Sequence, residues 1–305
     1  MLCGVIDVGS NSIRMSIYRC AGNDFQILMN QKTVAGLASY VTDNRINSFG
    51  IRKACEVLEE YMRILKGFGV ETCRAFATAS LRNVQNREEA LRELKERLGV
   101  EVEILSGDEE ARLGFVGMQH QMQAKEGIMA DIGGASTELL YFEDGKVLYK
   151  ESLPVGSLSL YSGFVKAIFP IDVEKKAIKR AIDEQLSRVM WFSRLKTQHL
   201  YGIGGTFRSA QKLALQILPE DLPADTIPTD VIRHLLKNYH HIDKKMCHEL
   251  LQVMPERIHT ILPGLMILEA VARKFKCVDF SVSSYGVREG YLISNLLKQG
   301  NHDEQ

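Results

Sequence analysis

The sequence predicts an α/β fold divided into two domains. Short apolar runs alternate with longer segments of helical periodicity, as in sheets that are flanked by helices. A strand–turn–strand pattern with Asp at the end of its first strand occurs at Asp7 and again at Asp131, 124 positions later. The 305 residues are enough for two medium-sized domains. We place the first domain at residues 1–120 with 290–305, and the second at 121–289.

Apolar runs and helical spacing define the individual elements. Strands are predicted at 3–8, 13–20, 25–30, 72–77, 100–105, 127–132, 138–142, 147–153, 198–203 and 278–283. Helices are predicted at 48–67, 87–98, 108–121, 172–195, 206–217, 229–240, 245–252, 257–275 and 287–298. The helix at 48–67 is typical, because Cys55, Leu58, Met62 and Leu65 recur at helical spacing before Gly67.

The charge balance limits the classes of partner. Hydrophobic residues make up 45% of the chain and charged residues 25%, which is ordinary for a globular protein with a core. Lys plus Arg and Asp plus Glu number 38 each. A protein that adheres to nucleic acid or to an anionic membrane through its whole surface would carry a basic excess. We therefore expect no nucleic acid and no membrane as partners, and any polyanion must be held locally.

The cysteines and the N-terminus indicate a cytoplasmic location. Six cysteines are scattered along the chain without any CxxC spacing, so a zinc site and a disulfide framework are both unsupported. Scattered reduced thiols suit the cytosol. The N-terminal residues lack the pattern of a signal peptide. No run approaches the roughly 18 apolar residues of a membrane span.

Two turns have the composition of phosphate-binding loops. The first turn is 9–12 and the second is 133–137. Backbone N–H groups around a tight turn form a concavity that suits phosphate oxygens, and hydroxyl groups add donors. The candidates are Gly9, Ser10, Asn11 and Ser12 in the first turn, and Gly133, Gly134, Ser136 and Thr137 in the second. Asp7 and Asp131, at the ends of the preceding strands, could hold magnesium or its waters.

The alternative is that each turn is an ordinary hairpin in which Asp caps its own backbone. The pairing of the two turns at equivalent places makes that interpretation weaker. The third turn, 202–206, lies between a strand and a helix, where Gly204, Gly205 and Thr206 could bind an anion. Taken alone it is more simply a tight connection. The chain lacks GxGxxG and GxxxxGK[ST], which disfavours Rossmann and Walker-type nucleotide binding.

Phosphoryl transfer to water also needs an oriented nucleophile and cationic charge. Glu109 and Glu110 begin a predicted helix, where they could instead serve the helix dipole. Arg14, Arg82 and Arg208 follow turns or strands, and we favour Arg82, although any one arginine is more often a surface residue. The basic stretch 175–180 could guide a polyanion or form a solvated helix face. Four histidines, His234, His240, His241 and His248, lack a coherent metal spacing.

Read together, these segments resemble the exopolyphosphatase/guanosine pentaphosphate phosphohydrolase (Ppx/GppA) family. The matching stretches are 5–14, 77–82 with Asn86, 104–113, 131–138, 202–206, 255–257 with 262–264, and 284–290. They follow the family's order over nearly the whole chain. The combination is specific, although no single motif is. One departure is Ala135, where the family commonly has a third glycine. A second departure is length, because some relatives carry an added C-terminal helical domain.

The resemblance implies two actin-like (ribonuclease H-like) domains with mixed β-sheets and an active site in the interdomain cleft. It implies a magnesium-dependent exopolyphosphatase that releases orthophosphate, with Mn²⁺ as a substitute metal and a homodimer as the assembly. Glu110 would position or deprotonate the attacking water, with Glu109 as its rival. Arg82 would stabilise phosphate charge. The metal-associated carboxylates would be Asp131, Asp7 and Glu138.

Three other functions remain open at this stage. Hydrolysis of guanosine pentaphosphate would use the same chemistry and would differ only in needing a nucleoside pocket. An actin-like sugar or acetate kinase would transfer phosphate to a substrate instead of water. A regulatory nucleotide-binding protein would show no turnover. Phosphate release from inorganic polyphosphate, measured with and without magnesium, separates hydrolysis from the last two.

Overall fold

The structure, a computed structural model, describes residues 1–191, 198–218, 225–239 and 242–297. The chain divides into two compact units. The first unit is Met1–Gly117 together with the segment from Val287 onward, and the second unit is Met118–Gly286. The boundaries expected from the sequence, 120 and 289, lie three residues later on the chain.

The first unit contains a five-stranded sheet and the helices that cover it. Its strands are β1 (Leu2–Val8), β2 (Ser12–Ala21), β3 (Asp24–Val34), β6 (Thr72–Ala77) and β7 (Val102–Ile104), with a small hairpin of β4 (Val41–Thr42) and β5 (Arg45–Ile46). Its helices are α1 (Ser48–Gly67), α2 (Ala79–Arg82), α3 (Arg87–Leu98) and the start of α4 (Gly107–Met122). The strand order is β3-β2-β1-β6-β7, with β1, β2 and β3 antiparallel and β6 and β7 parallel to β1.

Both faces of this sheet are buried. On one face Ile6, Ile13 and Met15 pack in a cluster with Leu58 and Tyr61 of α1. The other face carries a second cluster with contributions from several elements, namely Val5, Tyr18, Phe76, Leu113, Tyr291, Leu292 and Leu296. A sheet that is covered on both sides explains why β1 is a nearly continuous apolar run instead of an alternating one.

The second unit contains a six-stranded sheet. Its strands are β8 (Glu126–Ile132), β9 (Thr137–Glu143), β10 (Lys146–Leu153), β11 (His199–Ile203), β12 (Ile227–Pro228) and β13 (Asp279–Val282). Its helices are α5 (Ser157–Phe164), α6 (Asp172–Ser187), α7 (Gly204–Ala214), α8 (Asp230–Asn238), α9 (Lys244–Val253) and α10 (Ile261–Phe275). The chain then returns to the first unit in α11 (Val287–Leu292) and a π-helical turn, Ile293–Leu297.

The two sheets share one strand plan. The second sheet has the order β10-β9-β8-β11-β13-β12, in which β8, β9 and β10 are antiparallel and β11 and β13 continue in parallel from β8. Three antiparallel strands followed by two parallel ones also describe the first sheet. The predicted α/β class with two mixed sheets flanked by helices is therefore confirmed, and the sequence echo corresponds to a repeated architecture.

Some predicted elements differ from the structure. The helix predicted at 172–195 ends at Ser187, after which Val189 and Trp191 are both buried, and residues 192–195 lie outside the described residues. The helix predicted at 257–275 begins at Ile261, because Pro255–Arg257 forms a separate 3₁₀ turn. Helix α5 was not predicted, since its Ser and Gly residues obscure helical periodicity.

Candidate active site

Backbone hydrogen bonds fix the conformation of the first turn. The Gly9 N–H donates to the Ser12 carbonyl at 3.2 Å. The carbonyls of Ser10 and Asn11 accept from backbone N–H groups within 35–38 at 2.9–3.1 Å. Because these carbonyls are engaged with the protein, the turn can direct N–H groups to an anion without placing carbonyl oxygens beside it.

The second turn is held in the same way. The Gly133 N–H donates to the Ser136 carbonyl at 3.0 Å. The carbonyls of Gly133 and Gly134 accept from N–H groups of residues 157–159, at the start of α5, at 2.8–2.9 Å. A Cβ on Gly156 would lie 2.4 Å from the Gly134 carbonyl carbon, so this close approach requires glycine. Ala135 is not among the residues with positive φ, which removes the conformational objection to alanine there.

Two of the predicted phosphate-contacting hydroxyls already donate within the protein. The Thr137 hydroxyl donates to the Val155 carbonyl at 2.6 Å, and the Thr206 hydroxyl donates to the Ile132 carbonyl at 2.8 Å. Both side chains are buried. A hydroxyl has one proton to donate. These two hydroxyls therefore support the turns in this structure, and contact of Thr137 or Thr206 with phosphate stays a prediction.

The first unit has a counterpart of Thr206. The Ser80 hydroxyl donates to the Val8 carbonyl at 2.6 Å, at the end of β1, as Thr206 does at the end of β8. Two residues after each of them is an arginine, Arg82 in the first unit and Arg208 in the second. The duplication therefore extends from strand order to individual hydrogen bonds.

The third turn lies against the Asp131 carboxylate. Gly204 has φ of +82°, and a Cβ at this position would lie 2.4 Å from Asp131 Oδ1. A Cβ on the neighbouring Gly205 would lie 1.8 Å from Nη2 of Arg257. Gly204 and Gly205 therefore allow the Asp131 carboxylate and the Arg257 guanidinium to lie against the backbone at the start of α7. This turn does more than connect a strand to a helix.

Asp131 and Glu138 form a carboxylate pair across two strands. They are direct partners in the antiparallel register of β8 and β9. Glu138 is 1% exposed, and its Oε1 accepts a hydrogen bond from the Ser152 hydroxyl at 2.9 Å. Like charges directly opposite in a sheet are destabilising unless a cation balances them. Hard oxygen ligands of this kind suit Mg²⁺.

The donor set fits a magnesium ion that keeps part of its water shell. Among the described residues there is no cluster of three or more His, Cys, Asp or Glu side chains that could hold a metal alone. Mg²⁺ is commonly bound by one or two carboxylates together with water and substrate phosphates. Asp131 and Glu138 would be those carboxylates.

Asp7 has a different electrostatic environment from Asp131. Its partner across β1 and β2 is Arg14, at the position that corresponds to Glu138. Arg288 of α11 lies on the same face and donates from Nη1 to the Ser16 hydroxyl at 2.7 Å. Burial raises the pKa of Asp7, whereas Arg14 and Arg288 act to lower it. Two guanidinium groups thus oppose the effect of burial on Asp7, and its role as a metal-associated carboxylate stays a prediction.

Glu110 and Arg82 contact each other in the first unit. Arg82 Nη1 donates to Glu110 Oε2 at 2.8 Å and to the Leu105 carbonyl at 3.0 Å. Both side chains are largely buried, with exposed fractions of 16% for Arg82 and 11% for Glu110. The guanidinium therefore fixes the orientation of the carboxylate.

Glu109 has a structural role instead. Its Oε2 accepts from the Ser106 N–H at 3.0 Å and from the Ser106 hydroxyl at 2.9 Å, and the Glu109 N–H donates to that hydroxyl at 3.2 Å. This is a capping box at the start of α4. The structure therefore gives the two rival carboxylates different partners, and which of them activates water stays a prediction.

Sequence reasoning missed three residues at these turns. Arg257 and Arg288 lie in stretches that carry the family resemblance, but no role followed from spacing alone. Gly156 lies outside every stretch that the sequence analysis singled out, and helix α5 after it was not predicted. Of the four histidines, His234 and His248 are exposed, and His240 and His241 lie outside the described residues.

The fold and the turns define the class: two ribonuclease H-like units, each with a phosphate-type turn, as in the actin-like ATPase fold. The sequence model of the Ppx/GppA phosphatase family matches residues 16–299. The chain therefore belongs to the Ppx/GppA phosphatase family, and it is an enzyme that hydrolyses phosphoanhydride bonds.

Individual relatives agree with this family. A Haemophilus influenzae protein, provisionally named an exopolyphosphatase, is 28% identical over 95% of this chain and 90% of its own length. A guanosine-5'-triphosphate,3'-diphosphate pyrophosphatase of Photobacterium profundum is 25% identical over 99% of this chain. The chain spans only 61% of that second relative.

Solved structures show the same fold. The Aquifex aeolicus member of the Ppx/GppA family is 27% identical and superimposes with a TM-score of 0.80 over 98% of both chains. An exopolyphosphatase from Cytophaga hutchinsonii is 22% identical and gives a TM-score of 0.87 over 98% of both chains. Within the described part of the chain, no helix has the length and apolar character that a membrane crossing requires.

Proposed function

We propose that this protein is an exopolyphosphatase that removes the terminal phosphate of inorganic polyphosphate and releases orthophosphate with Mg²⁺. One observation carries the proposal. Each unit has a turn that follows a strand with Asp near its end, and the carbonyls of that turn accept hydrogen bonds from neighbouring backbone N–H groups. Anhydride-linked phosphates offer only oxygen acceptors, which such N–H-rich turns suit. The exopolyphosphatase name of the Haemophilus influenzae relative supports the substrate.

The residues divide into binding, metal-holding and catalytic groups. Phosphate oxygens would bind at the backbone of the first turn (Gly9, Ser10, Asn11, Ser12), the second turn (Gly133, Gly134, Ser136) and the third turn (Gly204, Gly205), with Arg257 as an added cation. Asp131 and Glu138 would hold Mg²⁺, or Mn²⁺ in its place. Asp7, compensated by Arg14 and Arg288, would support the first turn.

The chemistry follows from the orientation of Glu110. Glu110 would accept a proton from water as its oxygen attacks the terminal phosphorus. The bond from phosphorus to the bridging oxygen breaks, the bridging oxygen leaves with the shortened chain, and orthophosphate forms. Arg82 holds the Glu110 carboxylate in place. Mg²⁺, when bound, would neutralise charge on the phosphate oxygens.

A second candidate substrate is guanosine pentaphosphate. The name of the Photobacterium profundum relative favours it, because that name specifies a guanosine tri- and diphosphate substrate. The bond that breaks would be the same type of phosphoanhydride. The two substrates differ in whether a nucleoside must also be bound.

A substrate panel tests the proposal. Phosphate release is measured from long polyphosphate, short polyphosphate, guanosine pentaphosphate and ATP, each with Mg²⁺ and with excess chelator. We expect the highest kcat/KM for polyphosphate and loss of turnover with chelator. Preference for guanosine pentaphosphate would select the second candidate. Absence of phosphate release from every substrate would overturn hydrolysis and favour a regulatory protein.

The homodimer is a proposal that rests on the resemblance alone, and the cytoplasmic location is a proposal that rests on the scattered cysteines. Light scattering coupled to size-exclusion chromatography tests the first through the molar mass in solution. A value equal to one chain at micromolar concentration would reject it. Cell fractionation of the native protein tests the second.

A further inference from the structure

Residues 35–46 supply the backbone donors that hold the first turn, and we call them the support segment. Three N–H groups within 35–38 donate to the Ser10 and Asn11 carbonyls at 2.9–3.1 Å, and two of the three share the Asn11 carbonyl. The second turn has a different support, because its carbonyls accept from the start of α5. A change in the support segment would therefore act on the first turn and not on the second.

The support segment ends in the hairpin of β4 and β5. Asp43 and Asn44 join the two strands with φ of 51° and 56°, as in the two-residue turns that connect tight hairpins. Leu37, near the first turn, and Ile46, in the hairpin, are 0% and 2% exposed and belong to the same apolar cluster of the first unit. Both ends of the segment are packed on one core, so loosening the hairpin removes part of the packing that places the donors.

Asn86 fixes the hairpin through both polar atoms of its side-chain amide. Its Nδ2 donates to the Ile46 carbonyl at 2.9 Å, and its Oδ1 accepts from the Ile46 N–H at 3.0 Å. In the same loop, the Gln85 N–H donates to the Asn44 carbonyl at 2.7 Å. Asn86 is 9% exposed, so loss of its amide would remove two hydrogen bonds in a place that water reaches poorly. The hairpin is therefore attached to the loop between α2 and α3.

Asn86 occupies the N-cap position of α3 without using its side chain to cap that helix. An Asn at this position ordinarily accepts from a backbone N–H in the first turn of the helix. In α3, all of which the structure describes, no backbone N–H donates to the Asn86 side chain. The Asn86 carbonyl still accepts from the Ala90 N–H at 3.1 Å, and Nδ2 lies 3.4 Å from Glu89 Oε2. The amide therefore serves the contact with Ile46 instead of the usual helix cap.

We propose that Asn86 is a positioning residue for the first turn. It holds Ile46, which keeps the donors of 35–38 in place and thereby sets the affinity of the first turn for substrate phosphate. Its hydrogen bonds join it to β5 and α3, so we expect an effect on binding and not on proton transfer at Glu110. This inference rests on the proposed function, whereas all of the contacts that carry it lie in the first unit.

Asn86→Ser separates the two roles that this position could have. Ser is a favoured N-cap residue and can cap α3, but its single, shorter hydroxyl cannot replace both hydrogen bonds of the amide to Ile46. The matched control is Gly99→Ala at the other end of α3. Gly99 has φ of +63°, and a Cβ there would meet no atom within 4 Å, so Ala strains the backbone without touching the hairpin. If Asn86→Ser does not fold, Asn86→Asp takes its place, because it keeps the acceptor for the Ile46 N–H and loses only the donor.

Amide hydrogen exchange tests the coupling without a substrate. We expect the N–H groups of 35–38 that hold the first turn to exchange about tenfold faster in Asn86→Ser, since two hydrogen bonds of the hairpin are lost. Exchange at Ile6, in the buried strand β1, reports global unfolding and is used to correct for it. Gly99→Ala should show no increase after this correction. An increase of the same size in Gly99→Ala, or no increase in Asn86→Ser, would overturn the proposal.

Steady-state kinetics with polyphosphate tests the consequence for binding. We expect Asn86→Ser to raise KM about tenfold and to keep kcat within about twofold, because a loss of uniform binding acts on KM alone. Gly99→Ala should leave both constants unchanged. A fall in kcat without a rise in KM would place Asn86 with Arg82 and Glu110 and overturn the proposal, as would an unchanged KM. If the unmodified protein releases no phosphate from any substrate, the proposed function fails, while hydrogen exchange still decides whether Asn86 holds the first turn.

Discussion

At the scale of single residues, Glu109 and Glu110 are neighbours on α4 with different partners. Glu109 caps the helix through Ser106, whereas Glu110 contacts Arg82. The sequence could not distinguish them, because two consecutive acidic residues at a helix start satisfy both a capping and a catalytic interpretation. The direction of each side chain determines its partner. For Glu110 that partner is Arg82, which depends on the position of α2 relative to α4 within the first unit.

We predict that Glu110→Gln lowers kcat for phosphate release by about 10²–10⁴-fold, because the amide cannot accept the proton from water. The variant should still fold, because Gln keeps the shape and an acceptor for Arg82, but its thermal stability should fall, because the buried ion pair is lost. Glu109→Gln is the matched control. Gln also serves in a capping box, so this variant should keep both stability and turnover. Turnover by Glu110→Gln within threefold of the unmodified protein would exclude Glu110 as the base.

We predict that Asp131→Asn raises the Mg²⁺ concentration needed for half-maximal activity by at least about tenfold, because one of two carboxylates is lost. Ser152→Ala, which removes the hydrogen bond to Glu138, should shift the same midpoint in the same direction by a smaller factor. The measurement is a magnesium titration of phosphate release. A midpoint that does not move in Asp131→Asn contradicts the metal assignment.

At the scale of elements, the sequence predicted most strands and helices but not the contacts that make the turns functional. Helix α1 and strand β6 have the predicted bounds, because strong periodicity and buried apolar runs define them. The roles of Thr137 and Thr206 could not be predicted, since a hydroxyl in a turn suits a ligand and a carbonyl equally well. Only the position of Val155 and Ile132 resolves this ambiguity.

Gly204 and Gly69 separate the effect of backbone conformation from that of close approach. Both have positive φ, but a Cβ on Gly69 would have no atom within 4 Å, whereas one on Gly204 would meet Asp131. We predict that Gly69→Ala lowers the free energy of unfolding by about 1 kcal/mol. Gly204→Ala should lower it further and also weaken Mg²⁺ activation, because the Asp131 carboxylate must move. Urea denaturation measures the free energy of unfolding of each variant, and a magnesium titration of phosphate release measures its Mg²⁺ activation. Equal effects of the two variants would contradict the close approach.

At the scale of the whole molecule, the two units depend on the chain in different ways. Among the described residues, the core of the second unit draws only on Met118–Gly286. The first unit needs α11 as well, because Tyr291 and Leu292 complete its second cluster and Tyr18 donates to the buried Glu289 at 2.7 Å. The sequence analysis proposed two domains from one repeated turn, because each turn needs its own sheet.

We predict that a fragment of residues 118–286 folds alone, whereas 1–117 does not. The fragment 1–117 would expose the apolar surface that α11 covers, and its Tyr18 would lack the hydrogen bond to Glu289. Cooperative urea unfolding, followed by circular dichroism, measures each fragment. Adding residues 287–305 to 1–117 through a flexible linker should restore the transition. Cooperative unfolding of 1–117 alone would contradict this account.

The return of the chain to the first unit has a consequence during synthesis. The first unit lacks Tyr291 and Leu292 until α11 has been translated and has left the ribosome, which happens only after the whole second unit has been synthesised. The second unit has all of its core residues earlier, so it can mature while translation continues. The first unit would therefore complete its folding after the second, and until α11 emerges the sheet face that Tyr291 and Leu292 cover would be exposed.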